Sequence, residues 1–349
     1  MDPNRRRFLT AGLGLAATMP SPATDARFRM GVGTACYMQR AMLQRALDPA
    51  ARFTETLRFL AHCRDLGAGG IQASLTSLEE SYAARLREQA EKANMYIEVS
   101  ARLPQDDAGS LDRFERTVRA ARAAGASVIR TVMLGGRRYE TFETLGEWKD
   151  FGKRSWESLV RAEPVLRRHN VRLAIENHKD WRIDEMLSGL ERIQSEAVGV
   201  TIDTGNNMSL LEDPHEVARA FAPYAFAVHL KDMGLEAYDD GFLLSEVPFG
   251  KGCLNLKAIV DTIRAARPDV RFTLEMITRD PLKVPCLKKE YWATMGRVPG
   301  RDLAATLRTV RKKGRPLPRI GHLPERERLR VEERNNLECL EYGRTHLGL

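Results

Sequence analysis

The sequence predicts an α/β fold: a closed (β/α)8 barrel forming a single domain, with a helical extension at its C-terminus. Three observations carry the prediction. Eight short apolar segments alternate with helical segments along the 349-residue chain. Those segments are hydrophobic on both faces, as strands of a buried parallel sheet are. The last four hand over directly to Glu176, Asp203, His229 and Glu275, and a parallel barrel delivers its chemistry from strand ends at one face. An open doubly wound sheet is the alternative, but no nucleotide fingerprint accompanies the eight units, and Gly31-x-Gly33 is only a strand-end turn.

The elements follow in order. Met30 to Thr34 reads as the first strand, and Ala51 to Leu66 as an amphipathic helix closed by Gly67. Gly70 to Ala73 is a short second strand, followed by an Ala/Glu/Arg-rich helix from Glu79 to Asn94. Tyr96 to Ser100 is the third strand, with a helix over Leu111 to Ala124. Ser127 to Met133 is the fourth strand, ended by Gly135-Gly136, and a long helix fills Trp148 to His169. The fifth strand ends in Leu173-Ala174-Ile175-Glu176-Asn177-His178. Helix 183–194, strand 198–203, helix 213–221, strand 224–230, helix 254–266 and strand 270–275 complete eight strands, the first seven each followed by a helix.

Two stretches interrupt this rhythm. Residues 233–253, with Asp239-Asp240-Gly241, read as a long loop after the seventh strand, and Thr278 to Pro299 as a second insertion. Long loops after barrel strands lie on the active face and cover or line the site. Pro324 to Leu349 returns to helical spacing and is expected to pack on the barrel.

Composition bounds the function. At 43% hydrophobic and 29% charged residues the chain is an ordinary globular sequence with a sizeable core. Five cysteines (Cys36, Cys63, Cys253, Cys286, Cys339) include no C-x-x-C pair, which argues against a disulfide framework or a cysteine zinc site. The formal charge of +8 invites a nucleic-acid reading. Its dense clusters, however, are Arg5-Arg6-Arg7 and a Pro-punctuated stretch with Arg308, Arg311, Lys312, Lys313, Arg315 and Arg319. No aromatic set interleaves with either, so no nucleic-acid partner is expected.

The leading segment carries its own signal. Arg5-Arg6-Arg7-Phe8-Leu9, a short apolar run from Ala11 to Ala17, and small residues to Ala26 have the build of a signal peptide too short to span a bilayer. The Arg-Arg-x-Phe-Leu core resembles the twin-arginine signal of bacterial export. The expected organisation is therefore a signal over 1–26, the barrel over 27–310, and a basic linker with a C-terminal helix over 311–349. The resemblance implies the twin-arginine export machinery as a partner, a periplasmic or secreted location, and no stable membrane insertion.

The chemistry lies at the strand ends. A single carboxylate after a strand is ordinarily a helix cap or a surface charge. Three carboxylates and an imidazole on four successive strands are hard to assign to capping, and like charges so gathered repel unless a cation stands among them. Glu176, Asp203, His229 and Glu275 are therefore candidate ligands of one divalent metal. Oxygen-rich ligation with one imidazole suits Mn²⁺, Mg²⁺, Co²⁺ or Zn²⁺.

Glu176-Asn177-His178, Asp203-Thr204-Gly205-Asn206, His229-Leu230-Lys231-Asp232 and Glu275 resemble the sugar phosphate isomerase/epimerase group of xylose isomerase-like TIM barrels, over Arg29 to about Arg279. The resemblance implies one metal held by those four residues and a small carbohydrate as substrate. Chelation of a carbonyl and its neighbouring hydroxyl would acidify the intervening C–H and stabilise the enediolate. Glu176 and Glu275, approaching from different strands, are the candidate catalytic pair for proton exchange, which is isomerisation or epimerisation. His178, Asn206, Lys231 and Arg130 are candidate substrate contacts. A leaving group on the β carbon would turn the same first step into elimination, so a lyase or dehydratase acting on 3-keto-glycosides or inososes is the sibling reading. A barrel that binds metal and sugar without turnover is the reading of another class. Ketose 3-epimerases commonly carry a histidine where this chain has Asn206, and Lys251 stands where many relatives have Glu. Endonuclease IV-like barrels gather several metal-binding histidines, whereas only His178 and His229 of the seven here sit at strand ends.

Overall fold

The computed structural model describes residues 29–47, Phe53 and 55–349. The signal expected over 1–26 lies outside them. Eight parallel strands close a barrel: β1 (Gly31–Gly33), β2 (Gly70–Ala73), β3 (Tyr96–Ser100), β4 (Val128–Thr131), β5 (Arg172–Glu176), β6 (Val198–Asp203), β7 (Ala225–Leu230) and, after the strands β8 (Asp232–Tyr238) and β9 (Gly241–Val247), β10 (Phe272–Leu274). Each pairs with its neighbour in sequence, and β1 closes the ring between β10 and β2. Nearly every strand residue is buried, with Val32, Ile71, Val99, Ile129, Leu173, Val200, Val228 and Leu274 at 0% exposure. This is why the strands read as continuous apolar runs rather than as alternating ones.

The helices lie where the amphipathic segments put them: Thr56–Asp65, Glu80–Lys92, Ser110–Ala123, Leu145–His169, Ile183–Ile193, Pro214–Phe221 and Leu256–Ala266. Several of them begin on a side-chain cap. Glu55 accepts from Leu57 N and Arg58 N, Thr144 and Glu147 form a capping box, and Asp213 accepts from His215 N and Glu216 N. An additional helix, Met38–Leu47, follows β1. The N–H groups of Gln39 and Arg40, in its first turn, donate at 2.6 and 3.0 Å to the buried carboxylate of Glu332 on the C-terminal helix Glu325–Tyr342. Asn336 on that helix donates to Cys36 O, which docks the extension on the barrel as expected.

Residues 233–253 correct the sequence reading. They form an antiparallel hairpin, β8 against β9, extended by a third strand, β11 (Leu282–Val284), drawn from the second insertion. Met233 and Leu235 on one strand, and Phe242 and Leu244 on the other, pack into one apolar cluster, and Gly234, Ser245 and Glu246 are buried beside them. Asp239 and Asp240 are the two-residue turn between Tyr238 and Gly241, and Gly241 at φ 149 takes a conformation closed to other residues. Beneath the sheet lies a second apolar cluster that adds Tyr139, Met208, Tyr291, Met295 and Val310.

The basic stretch near the C-terminus is also more ordered than a linker. Helix Gly300–Lys313 contributes Val310 to that cluster, and it places Arg311, Lys312 and Lys313 in its last turn, where cations suit the helix dipole. The five cysteines are free, and Cys36, Cys63, Cys286 and Cys339 are buried. No helix of the described residues is long and apolar enough to cross a membrane.

Candidate metal centre

The barrel brings the four candidate ligands together. Glu176 and Asp203 are the last residues of β5 and β6, His229 is the penultimate residue of β7, and Glu275 follows β10. One ligand atom from each lies within 4.8 Å of the others, and all four side chains are buried.

Backbone and amide contacts leave one face of each ligand turned to the centre. Asp203 Oδ1 accepts from Gly205 N and Asn206 N at 2.9 and 2.8 Å, in the turn that ends β6. Its Oδ2 is buried without a hydrogen-bond partner. Asn177 fixes the strand ends to each other by donating to Asp203 O and accepting from Asp203 N. His229 Nε2 donates to Gln72 Oε1 at 2.6 Å, an assignment forced by Gln72 Nε2, which donates to Glu98 Oε2 at 3.0 Å. The lone pair is then on Nδ1, 3.1 Å from Glu176 Oε2 and 3.3 Å from Glu275 Oε1, with no hydrogen-bond partner. An imidazole lone pair aimed at two carboxylates is stable only with a proton or a metal ion between them. Burial alone would lower the His229 pKa, but Glu275 and Glu176 raise it to about 10. Three carboxylate oxygens and an oriented imidazole nitrogen suit a divalent cation, and His229 Nδ1, without a hydrogen-bond partner, is the atom it would satisfy.

The expectation that only a metal could hold these charges together is corrected. Lys231 Nζ lies 2.8 Å from Asp203 Oδ2 and 2.6 Å from Glu275 Oε2, and Arg130 forms an ion pair with Glu176, its Nε 2.6 Å from Oε2. Two cations, Lys231 buried and Arg130 partly so, already offset much of the repulsion. Despite burial, Arg130 holds the Glu176 carboxyl far below the usual carboxylate range, and Lys231 does the same for Glu275. Burial raises Asp203 to about 6 although Lys231 opposes it.

Three of the four candidate substrate contacts thus touch the ligand set itself. Arg130 and Lys231 pair with its carboxylates, and Asn206 Nδ2 donates to Glu176 Oε1 at 3.2 Å. His178 lies two residues beyond the end of β5. Its Nδ1 donates to Leu134 O at 3.0 Å, and burial lowers its pKa to about 4, so the ring is neutral at neutral pH.

Sequence reading missed several residues. Gln72, a polar side chain inside the apolar run of β2, was the signal for the histidine's partner. Glu246 arrives from β9, buried, with Arg279 Nη2 and Nε at 2.7 and 3.2 Å and Lys231 Nζ at 3.6 Å. Reading 233–253 as a loop hid it. Lys179 is 3% exposed and donates to Asn206 Oδ1; nothing in its sequence context marked it. Asp232 organises the turn after β9 by accepting from Gly250 N, Gly252 N and Leu254 N. A Cβ on Gly252 would stand 2.1 Å from Asp232 Oδ1, which explains the glycine, while Lys251 points outward to Glu338. Two clefts of about 910 and 850 Å³, one lined by Trp148, Trp156 and Trp181 and the other by Glu212, Asp302 and Arg301, are lined by none of the four candidate ligands.

Comparison with known proteins agrees with this architecture. The family described as xylose isomerase-like TIM barrel matches residues 60–296. The 3-oxo-isoapionate decarboxylase of Pectobacterium atrosepticum is 24% identical over 253 residues, covering 70% of this chain and 85% of that protein. A crystal structure of D-psicose 3-epimerase in the presence of D-fructose superposes with a TM-score of 0.60 at 14% identity, over 92% of this chain and all of that one. A xylose isomerase-like TIM barrel protein from Mycobacterium smegmatis in complex with magnesium superposes at 0.54 and 16% identity, over 80% of this chain and 98% of that one. At these identities the two structures speak for the fold.

Proposed function

The chain belongs to the xylose isomerase-like TIM barrel family, and we propose that it is a divalent-metal-dependent isomerase or epimerase of a keto-sugar. The observation that carries the reading is the buried convergence of Glu176, Asp203, His229 and Glu275, with His229 Nδ1 turned to the carboxylates and without a hydrogen-bond partner. A divalent ion held there supplies a Lewis acid for a carbonyl and its neighbouring hydroxyl. The chain's own residues do the rest. Glu176 and Glu275 stand on different strands about His229, so a carbon held between them has a carboxylate on either face, one to take the proton and one to return it. Arg130 and Lys231 favour the ionised form of both, so either can accept the proton, and the carboxylate on the opposite face must take up a solvent proton before it can return one. Lys231 Nζ is also placed to donate to an oxygen that gains negative charge as the proton leaves.

A second reading, a lyase that breaks a bond β to the same carbonyl, draws support from the likeness to the decarboxylase. Both readings share the carbanion-forming step and differ in what leaves. The test is NMR of a keto-sugar panel incubated in deuterated water with the Mn²⁺-loaded protein. Deuterium at the carbon beside the carbonyl, absent with Glu176→Gln or Glu275→Gln, supports epimerisation. Loss of a carbon or of a β substituent selects the lyase. Neither exchange nor turnover across the panel refutes both.

A further inference from the structure

Lys179 differs from the other cations around the centre. Arg130 is paired with Glu176, Lys231 with Asp203 and Glu275, and Arg279 with Glu246. Lys179 is buried at 3% exposure, and its Nζ has one hydrogen bond, to the neutral Asn206 Oδ1. No carboxylate among the described residues lies within 4.0 Å of it. Lys231 Nζ lies 3.5 Å from the same Asn206 Oδ1, so two buried ammonium groups share one amide oxygen. Like charges repel strongly in such surroundings, and a buried charge without a counter-ion is costly.

The backbone points the same way. Lys179 has φ 62, in the left-handed region that glycine enters freely and a lysine only at a cost. A long cationic side chain kept at that cost, buried and without a partner of opposite sign, is a subsite awaiting an anion.

We propose that the substrate is a keto-sugar acid whose carboxylate docks on Lys179 Nζ, with Asn206 steering the ammonium. This rests on the reading of the cluster as a metal-dependent keto-sugar centre. One unpaired ammonium suits a monoanionic carboxylate better than a phosphate dianion, which would call for more donors. Lys179 is then a specificity residue that separates acid sugars from neutral ones.

The test is calorimetric titration of the Mn²⁺-loaded and the metal-free full-length protein with D-gluconate, with its neutral counterpart D-glucitol, and with D-glucitol 6-phosphate. Gluconate should bind the loaded protein at least about tenfold more tightly than glucitol, the order expected for a hydrogen bond to a charged group. Lys179→Met should abolish that ratio without weakening glucitol, and Lys179→Arg should keep it. If Lys179→Met fails to fold, as read from its thermal transition, Lys179→Gln replaces it and the wild-type ratio still stands as a test. Equal binding of gluconate and glucitol, undetectable gluconate binding, or equal loss of both in the variant overturns the proposal. Preference for the phosphate that is lost in Lys179→Met assigns the subsite to phosphate and overturns the carboxylate. Failure of Mn²⁺ to bind refutes the metal reading, while a Lys179-dependent gluconate preference in the metal-free protein decides the subsite separately.

Discussion

Metal binding at this centre should expel a proton from one identified atom. With Nε2–H committed to Gln72 Oε1, a metal-free His229 can take its second proton only on Nδ1, between Glu176 and Glu275. Burial works against that proton, but the two carboxylates outweigh it and raise the pKa to about 10. At pH 7.5 the imidazole of the metal-free protein is therefore almost wholly protonated, and coordination through Nδ1 releases about one proton per ion. Asp203, raised by burial to about 6, adds little at that pH but is about half protonated at pH 6, so release should climb to about one and a half protons there. Glu176 and Glu275, held ionised by Arg130 and Lys231, contribute none. The sign follows: metal affinity falls as pH falls, by about tenfold per pH unit between 7 and 9 and more steeply near 6. The assay is calorimetric Mn²⁺ titration in buffers of different ionisation enthalpy. A binding enthalpy indifferent to the buffer at pH 7.5 would refute both the tautomer and the assignment of His229 as a ligand.

Other perturbations probe the surrounding structure. Gln72→Leu removes the acceptor that orients His229 and should weaken metal binding about 10- to 100-fold in a chelator competition, with an unchanged affinity counting against the arrangement. Leu244→Ala empties a fully buried position under the hairpin sheet and should cost about 2–5 kcal/mol in urea unfolding. The Glu332 carboxyl is raised by burial from 4.5 to about 7, so the folded state binds its proton more readily than the unfolded chain. Its contribution is full below pH 4.5 and is lost as pH rises to 7, by up to about 3 kcal/mol. The difference between wild type and Glu332→Gln across that window should have this sign, measured by denaturant unfolding at each pH.

Legibility differed between backbone and side chains. The eight barrel strands were readable because both faces are buried, so each is an apolar run of fixed length between turn signals. The four candidate ligands were readable because they interrupt those runs at the same structural level. Helix Met38–Leu47 was not, since its first turn is satisfied by Glu332 almost three hundred residues away, and no local pattern records such a contact. The hairpin's local signal is the turn Asp239-Asp240-Gly241; the runs on either side do not alternate, because Gly234, Ser245 and Glu246 are buried along with the apolar positions. Arg130, Asn206 and Lys231 were placed at the centre by the resemblance, but their contacts to the ligands' own oxygens needed coordinates. Lys179 had no sequence signal, because its distinction is a missing partner, and only a structure shows that.

The central claim is that Glu176, Asp203, His229 and Glu275 hold one divalent ion. Elemental analysis of the purified full-length chain, beside the Glu176→Gln/Asp203→Asn double variant, tests it most directly. The account predicts about one equivalent of a divalent metal in the first and none in the second. No metal in the wild type after Mn²⁺ is supplied, or equal metal in both, would contradict it and leave Lys231, Arg130 and a protonated His229 as the counter-ions of the cluster.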